Sequence, residues 1–314
     1  YLPFDSVTLY AHWEYHPEST FDTGNNVNAR IKTAAGATST GESVEDNNIE
    51  QIKKALSLPN DFVATTDNTI STSDSDEPIY IWYDSENKYL YYYTEAETIY
   101  LNASSYDMFG NLRKLSSIEG INSWNTSKVT DMRKIFSSTG FNATTFNIDV
   151  SSWDTSSATN MSSMFSSAGR KATTWSIGDL SEWDTSSVTS MSYMFSYAGY
   201  SATTFDIGDL SEWDTSNVTT MYGMFSVAGY KATTFDIGDL SDWDTSKVQY
   251  MSYMFNCAGR NATTFEIDLS NWDTSSVTTM DNMFNYAGYS ATTWSIGDLS
   301  EWDTSSVTDM SSMF

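Results

Sequence analysis

Residues 173–216 read TTWSIGDLSEWDTSSVTSMSYMFSYAGYSATTFDIGDLSEWDTS, and the segment closes on nearly the words with which it opens. With the Trp of W-[DN]-T-S as origin, copies begin at Trp124, Trp153, Trp183, Trp213, Trp243, Trp272 and Trp302, spaced by 29, 30, 30, 30, 29 and 30 residues. A fixed period of this size marks supersecondary units that are each too small to bury an apolar face alone and that share one core with their neighbours. The expected fold is an α+β solenoid running over residues 99–314.

The two halves of a unit carry different hydrophobic periods. Val188, Met191 and Phe195 fall at i, i+3 and i+7, one face of a helix, with Asp184, Thr185 or Ser186 available to cap its start. Ala198-Gly199 ends that half, since Gly suits the left-handed turn after a helix. Thr203, Phe205 and Ile207 then alternate with Ala202, Thr204 and Asp206, which predicts a short strand. One strand and one short helical segment per coil, with strands returning in the same phase, predict a parallel β ladder. Its aromatics Phe146, Trp175, Phe205, Phe235, Phe265 and Trp294 should all point inward.

Other columns recur with the same period. All 14 methionines sit at core spacing in or just before the first half of a unit, so they read as packing rather than copper ligands. An Asp follows most of the tryptophans (Asp154, Asp184, Asp214, Asp244, Asp273, Asp303), but the first copy has Asn125. Asn and Asp share an acceptor oxygen and not a charge, so a carboxylate or amide accepting backbone N–H groups fits both. No cofactor is expected. A calcium ladder through Asp206, Asp209, Asp236 and Asp239 is the one metal alternative, and Ser176, Asn147 and Ser295 interrupt it.

With 41 acidic and 15 basic side chains among 314 residues, the net charge of −26 argues against nucleic acid as a partner. The acidity is spread rather than held in a tail, because residues 1–123 and 124–314 carry 19 and 22 of those acids. Cys257 is the single cysteine, so the fold stands without internal disulfides. No apolar run is long enough to span a membrane, which predicts no direct insertion by this fragment. The first residue, Tyr1, and a last unit stopping at Phe314 read as a piece of a longer chain.

Ahead of the repeats, residues 99–123 read as a divergent first coil around Asp107-Met108-Phe109. Residues 14–98 read as a linker, a helix and a hairpin that together cap the open end of the solenoid. The helix is expected from Asn47 and Glu50 as capping residues, with Ile49, Ile52 and Leu56 on one face, ending before Pro59. The hairpin is expected from two aromatic runs, PIYIWYD (78–84) and YLYYYT (89–94). Residues 1–13 hold an alternating strand, the remnant of a preceding module.

The signature W-D-T-S-x-V-T-x-M-x-x-M-F, as in Trp213 to Phe225, resembles the BspA-like leucine-rich repeat of bacterial surface proteins. Residues 77–109 are similar to the segment leading into such repeats. Residues 1–13 are similar to the end of an internalin-type B-repeat, a small β-grasp module of Gram-positive surface proteins. The resemblance implies a leucine-rich-repeat-like coil. It further implies an extracellular, secreted or cell-wall-attached protein that adheres to host or neighbouring-cell proteins or glycans.

No enzyme is expected, because the only histidines, His12 and His16, precede the repeats and equivalent copies suit architecture better than one asymmetric active site. Binding is expected on positions that vary while the frame is held. After Ala-Gly come Arg170, Tyr200, Tyr230, Arg260 and Tyr289, and before it Tyr197 and Tyr286. Tyr and Arg are enriched in interface hot spots, though tyrosines packed over the loop edges would give the same pattern. A structural spacer holding other domains away from the cell wall is the alternative, and an ice-binding Thr column is disfavoured by Asp206 and Asp236 beside it.

Overall fold

The computed structural model describes residues 15–314, so the strand remnant expected at residues 1–13 lies outside the described residues. The N-terminal part comprises β1 (Glu18–Thr20), α1 (Gly24–Ala34), β2 (Gln51–Lys54), β3 (Tyr80–Asp84), β4 (Tyr89–Tyr93), β5 (Thr98–Tyr100) and β6 (Ser117–Ile118). The aromatic hairpin forms as expected, with β3 antiparallel to β4.

The helix expected near residues 47–56 does not form, and β2 stands in its place. Asp46 Oδ1 accepts the N–H groups of Asn48 and Ile49, which satisfies them in a turn rather than at a helix start. Ile52 is then buried by pairing of β2 with β4 on one side and β6 on the other, all parallel, while Leu56 is left in solvent. The hairpin therefore meets the first coil through β2, in the order β3-β4-β2-β6.

The one α-helix among the described residues is α1, which the hydrophobic pattern did not announce. Its buried face is Gly24, Val27, Asn28, Ile31 and Lys32, only two of them large apolar residues. Asn28 Nδ2 donates to the carbonyls of Met108 and Gly110, which docks the helix on the introductory coil.

Beyond it come β7 (Thr145–Asn147), β8 (Thr174–Ser176), β9 (Thr204–Asp206), β10 (Thr234–Asp236), β11 (Thr264–Glu266) and β12 (Thr293–Ser295), one per coil. They are parallel and pair in register, Phe146 opposite Trp175, Phe205 opposite Phe235 and Phe265 opposite Trp294. The expected continuous ladder is hydrogen-bonded only two by two; β8 and β9 are joined just outside the strands, where Thr203 N–H donates to Thr173 O. The strand aromatics still form an unbroken column with ring centroids 5.0–6.5 Å apart. All point inward except Trp294, which is 42% exposed.

The expected helical segment is also absent, and this is the main correction to the coil. Residues 192–201 are a run of tight turns. The N–H groups of Met191, Tyr193, Phe195 and Tyr197 donate to Thr220, Tyr222, Met224 and Ser226 of the next coil, while Met194, Ser196 and Ala198 donate three residues back. Tyr193 and Tyr197 adopt left-handed φ of 58°, which no α-helix tolerates. A run of turns that each close three residues back places Val188, Met191 and Phe195 inward with the same spacing as a helix, so the periodicity is real and its cause different.

Two further aromatic columns fill the interior. Phe109, Phe136, Phe165, Phe195, Phe225, Phe255, Phe284 and Phe314 stack at 5.4–5.6 Å. The tryptophans from Trp183 to Trp302 stack at 6.1–6.4 Å, nearly parallel. Each W-[DN]-T-S indole N–H from Trp153 onward donates to a carbonyl of the preceding coil, such as Trp213 to Leu180 at 2.9 Å. The buried Thr of the first six W-[DN]-T-S copies donates the other way, as Thr185 Oγ1 does to Asp214 O at 2.9 Å. Each coil is thus held chiefly by its two neighbours, and one apolar core runs from Phe21 to Met313.

Candidate functional site

The five residues expected after Ala-Gly are brought into one column on the loop edge. The chain there hydrogen-bonds coil to coil: Lys171 N–H to Phe141 O, Ser201 to Arg170, Lys231 to Tyr200, Asn261 to Tyr230 and Ser290 to Arg260, at 2.9–3.2 Å. These bonds fix Arg170, Tyr200, Tyr230, Arg260 and Tyr289 one above another. Asn142 N–H donates in the same way to Arg113 O, so the column begins two places earlier, with Arg113 and Phe141. Sequence reasoning missed both, because the introductory coil is short and the Ala of Ala-Gly is Thr139 in the next.

Along the column every neighbour is in contact through a ring face. Arg113 lies 3.9 Å over Phe141, Arg170 5.3 Å from both Phe141 and Tyr200, and Arg260 5.3 Å from Tyr230 and 4.9 Å from Tyr289. Tyr200 and Tyr230 stack directly at 4.7 Å. The two positions before Ala-Gly join from the side: Arg170 sits 4.5 Å over Tyr197, and Arg260 5.1 Å over Tyr286. The column is therefore both a packed edge and a presented one. Ring faces are turned toward neighbours; Arg170, Tyr200, Tyr230 and Arg260 are half-buried, Arg260 Nε is buried without a partner, and Tyr289 is exposed.

The charges on this edge differ from the rest of the body. Arg113 pairs with Glu45, and burial followed by repulsion from Arg170 lowers its pKa. Arg170 and Arg260 have no carboxylate partner within ion-pair distance among the described residues, although Arg260 donates to the Tyr230 hydroxyl. Cys257 lies beside Ala258 in the same loop, and burial pushes its thiol pKa up, which keeps it a poor nucleophile.

The acidic columns lie elsewhere in the coil. Each Asp after Trp accepts the N–H of the Ser two residues on, as Asp184 Oδ1 does from Ser186, and Asn125 does the same for Ser127. The Asp of Gly-Asp-Leu-Ser repeats the device: Asp179 Oδ1 accepts Ser181 N–H and lies under Gly208 of the next coil. A Cβ at Gly208, whose φ is 88°, would sit 1.9 Å from that oxygen, so this position takes no side chain without rearrangement. Glu182, Asp184, Asp209, Glu212 and Asp214 line an open groove of about 620 Å³. Among the described residues no group of three or more His, Cys, Asp or Glu side chains converges as metal ligands do.

A repeat solenoid-like array with a patterned edge is the class of molecule these features define. Three overlapping segments, 103–228, 170–295 and 229–314, match the family described as "Mycoplasma protein of unknown function, DUF285". Those matches span more than half of the chain, which therefore belongs to that family. No curated protein and no solved structure gave a match. No helix of the described residues is long and apolar enough to cross a membrane.

Proposed function

We propose that this chain is a non-enzymatic adhesion module of an extracellular or cell-wall-attached protein. Its coils would be leucine-rich-repeat-like in the BspA manner, and residues 1–13 would be the remnant of a preceding internalin-type B-repeat. The reading rests on the loop edge. Arg170 and Arg260 bring two guanidiniums without ion-pair partners among the described residues to a body of net charge −26, flanked by Tyr197, Tyr200, Tyr230, Tyr286 and Tyr289. Because the Tyr200 and Tyr230 faces cover each other, this edge suits an extended acidic segment of a host or neighbouring-cell protein better than sugars stacked face to face.

Several weak contacts one coil apart would add by avidity. The labelled chain should adhere to cells, mucin or matrix protein, with adhesion falling as salt rises. Replacing Tyr200, Tyr230 and Tyr289 together by Ala should remove most of it while circular dichroism stays unchanged, and a single replacement should remove little. Undiminished adhesion by the folded triple variant would instead support a spacer that holds other domains away from the wall.

A further inference from the structure

A second surface, at the start of the turn run and ahead of the loop edge, breaks the repeat locally. In two successive coils the residue after the first Met hydrogen-bonds the residue before the Met of the next coil: Ser162 Oγ to Ser190 Oγ at 2.7 Å, and Ser192 Oγ to Thr220 Oγ1 at 2.8 Å. The next pair is Tyr222 and Tyr250, two rings in place of two small hydroxyls. The pair after that should start from Ser252, whose Oγ is buried with no hydrogen-bond partner, the residue being 1% exposed.

Around this interruption the rings of Tyr193, Tyr222 and Tyr253 gather. Tyr222 lies 5.0 Å from Tyr193 and 5.7 Å from Tyr253, at 63° and 44°. Gly223 makes room for the first of these, since a Cβ there would come within 2.8 Å of the Tyr193 ring. Tyr193 and Tyr250 remain 41% and 46% exposed. Burial first, and then hydrogen bonding to Tyr193, pushes the Tyr222 pKa up to about 12, so its hydroxyl stays protonated.

Coil stacking does not require these rings. Ser163 and Asn282 occupy the Tyr193 position in other coils and make the same inter-coil bond, at 2.9 Å in each case. The rings also differ from the loop edge in charge. Among the described residues no cation lies over Tyr193, Tyr222 or Tyr253, and the carboxylate acting on Tyr222 is Asp281. A neighbouring carboxylate repels anions and accepts hydrogen bonds from neutral hydroxyls.

We infer that Tyr193, Tyr222 and Tyr253, with Asp281, whose backbone carbonyl accepts the Tyr253 N–H at 3.0 Å, form a site for an uncharged saccharide. The C–H face of a pyranose packs on the exposed face of Tyr193 and its neighbouring rings, and its hydroxyls donate to the Asp281 carboxylate. This site is separate from the loop edge and stands without the adhesion reading given to that edge.

The test is retention of the whole chain on immobilised uncharged oligosaccharides of glucose, mannose, galactose and N-acetylhexosamines, beside sialylated and sulfated ones. Retention is expected on at least one uncharged series and on none of the acidic ones. The combined variant Tyr193→Ser, Tyr222→Ser, Tyr253→Ser introduces the residue types of Ser162 and Ser163, and should lose at least about tenfold in affinity. The loop-edge triple variant should keep full affinity, so the two sites fail separately. If the combined variant unfolds, Tyr193→Ser alone, at an exposed ring, should lower affinity severalfold. The inference is overturned if no uncharged sugar is retained, if acidic sugars are preferred, or if the folded variants bind as the parent does.

Discussion

Tyr200 and Tyr230 lie ring over ring, centroids 4.7 Å apart and planes 12° from parallel, and Arg170 and Arg260 close the stack at its two ends. The pair should be energetically coupled. A double-mutant cycle with Tyr200→Phe kept as control and Tyr200→Ala, Tyr230→Ala as the cycle should give a coupling of about 0.5–1.5 kcal/mol in urea unfolding. Additive single effects would mean that the contact is only proximity.

Phe205 is fully buried between Trp175 and Phe235, at 5.0 and 5.2 Å. Phe205→Ala opens a cavity on both coil interfaces at once and should cost about 3–5 kcal/mol, read from the urea midpoint at constant slope. Trp294→Ala, at the exposed end of the same column, should cost clearly less. Equal losses would show that burial depth does not set the energy of this column.

Gly208→Ala should destabilise the array through backbone strain and a clash with Asp179, by more than about 1 kcal/mol. Thermal melting compares it with Gly41→Ala, where a Cβ meets nothing within 4 Å and little change is expected.

Stability should pass through a maximum in mildly acidic solution. Hydrogen bonds from Ser186, Ser246 and Ser275, the hydroxyl first and the N–H second, hold the carboxyls of Asp184, Asp244 and Asp273 below the ordinary 3.8 of an aspartate. A depressed carboxyl stabilises the fold above its unfolded pKa, and that contribution is lost as pH falls from 3.8 through the lower folded value. Asp107 behaves oppositely: burial raises it to about 6, so its contribution is full below 3.8 and is lost as pH rises through 6. Lys32, buried nearby, is lowered by burial despite the opposing pull of Asp107 and Asp46, so desolvation outweighs attraction at both ends of that pair. Asp107→Asn should flatten the neutral limb of the stability profile and leave the acid limb in place.

Chelation should leave the melting temperature within error, because the Asp columns spend an oxygen on backbone N–H groups and are interrupted at Asn147, Ser176 and Ser295. A rise of several degrees in millimolar calcium would move those columns from turn-making to ion binding.

What the sequence made legible was whatever repeats. Trp213, Met221, Phe225 and Phe205 recur in phase, and a recurring apolar residue in a stack has nowhere to go but the core. The backbone conformation of the Met-Phe half was not legible, since turns closing every three residues and a helix place Val188, Met191 and Phe195 on one side alike. Strand β2 was hidden for a different reason: Ile49, Ile52 and Leu56 fit a helix locally, and only pairing with β4 and β6, far apart in sequence, decides otherwise. Helix α1 escaped because Asn28 and Lys32 fill two of the five positions of its buried face and Gly24 a third. On the loop edge, residue types located the column, but the mutual covering of its rings follows from coil height alone. Tyr222 and Gly223 were visible as departures from the repeat and were not read as such.

The indole of Trp183 meets Trp213 at 6.2 Å in the same way that Trp213 meets Trp243 at 6.3 Å. A coil with interchangeable neighbours can dock on the wrong one. During folding, the third coil can close against the fifth and extrude the fourth as a 30-residue loop, a misregistered state in which the third and fifth coils make native-like contacts and the fourth makes none. Loop closure of that size costs only a few kcal/mol, so the misdocked pair is opposed mainly by the contacts that the fourth coil forgoes. The departures from exact repetition, the 29-residue coils and the Tyr193–Gly223 fit among them, then act as register marks that raise the energy of the skipped alignment.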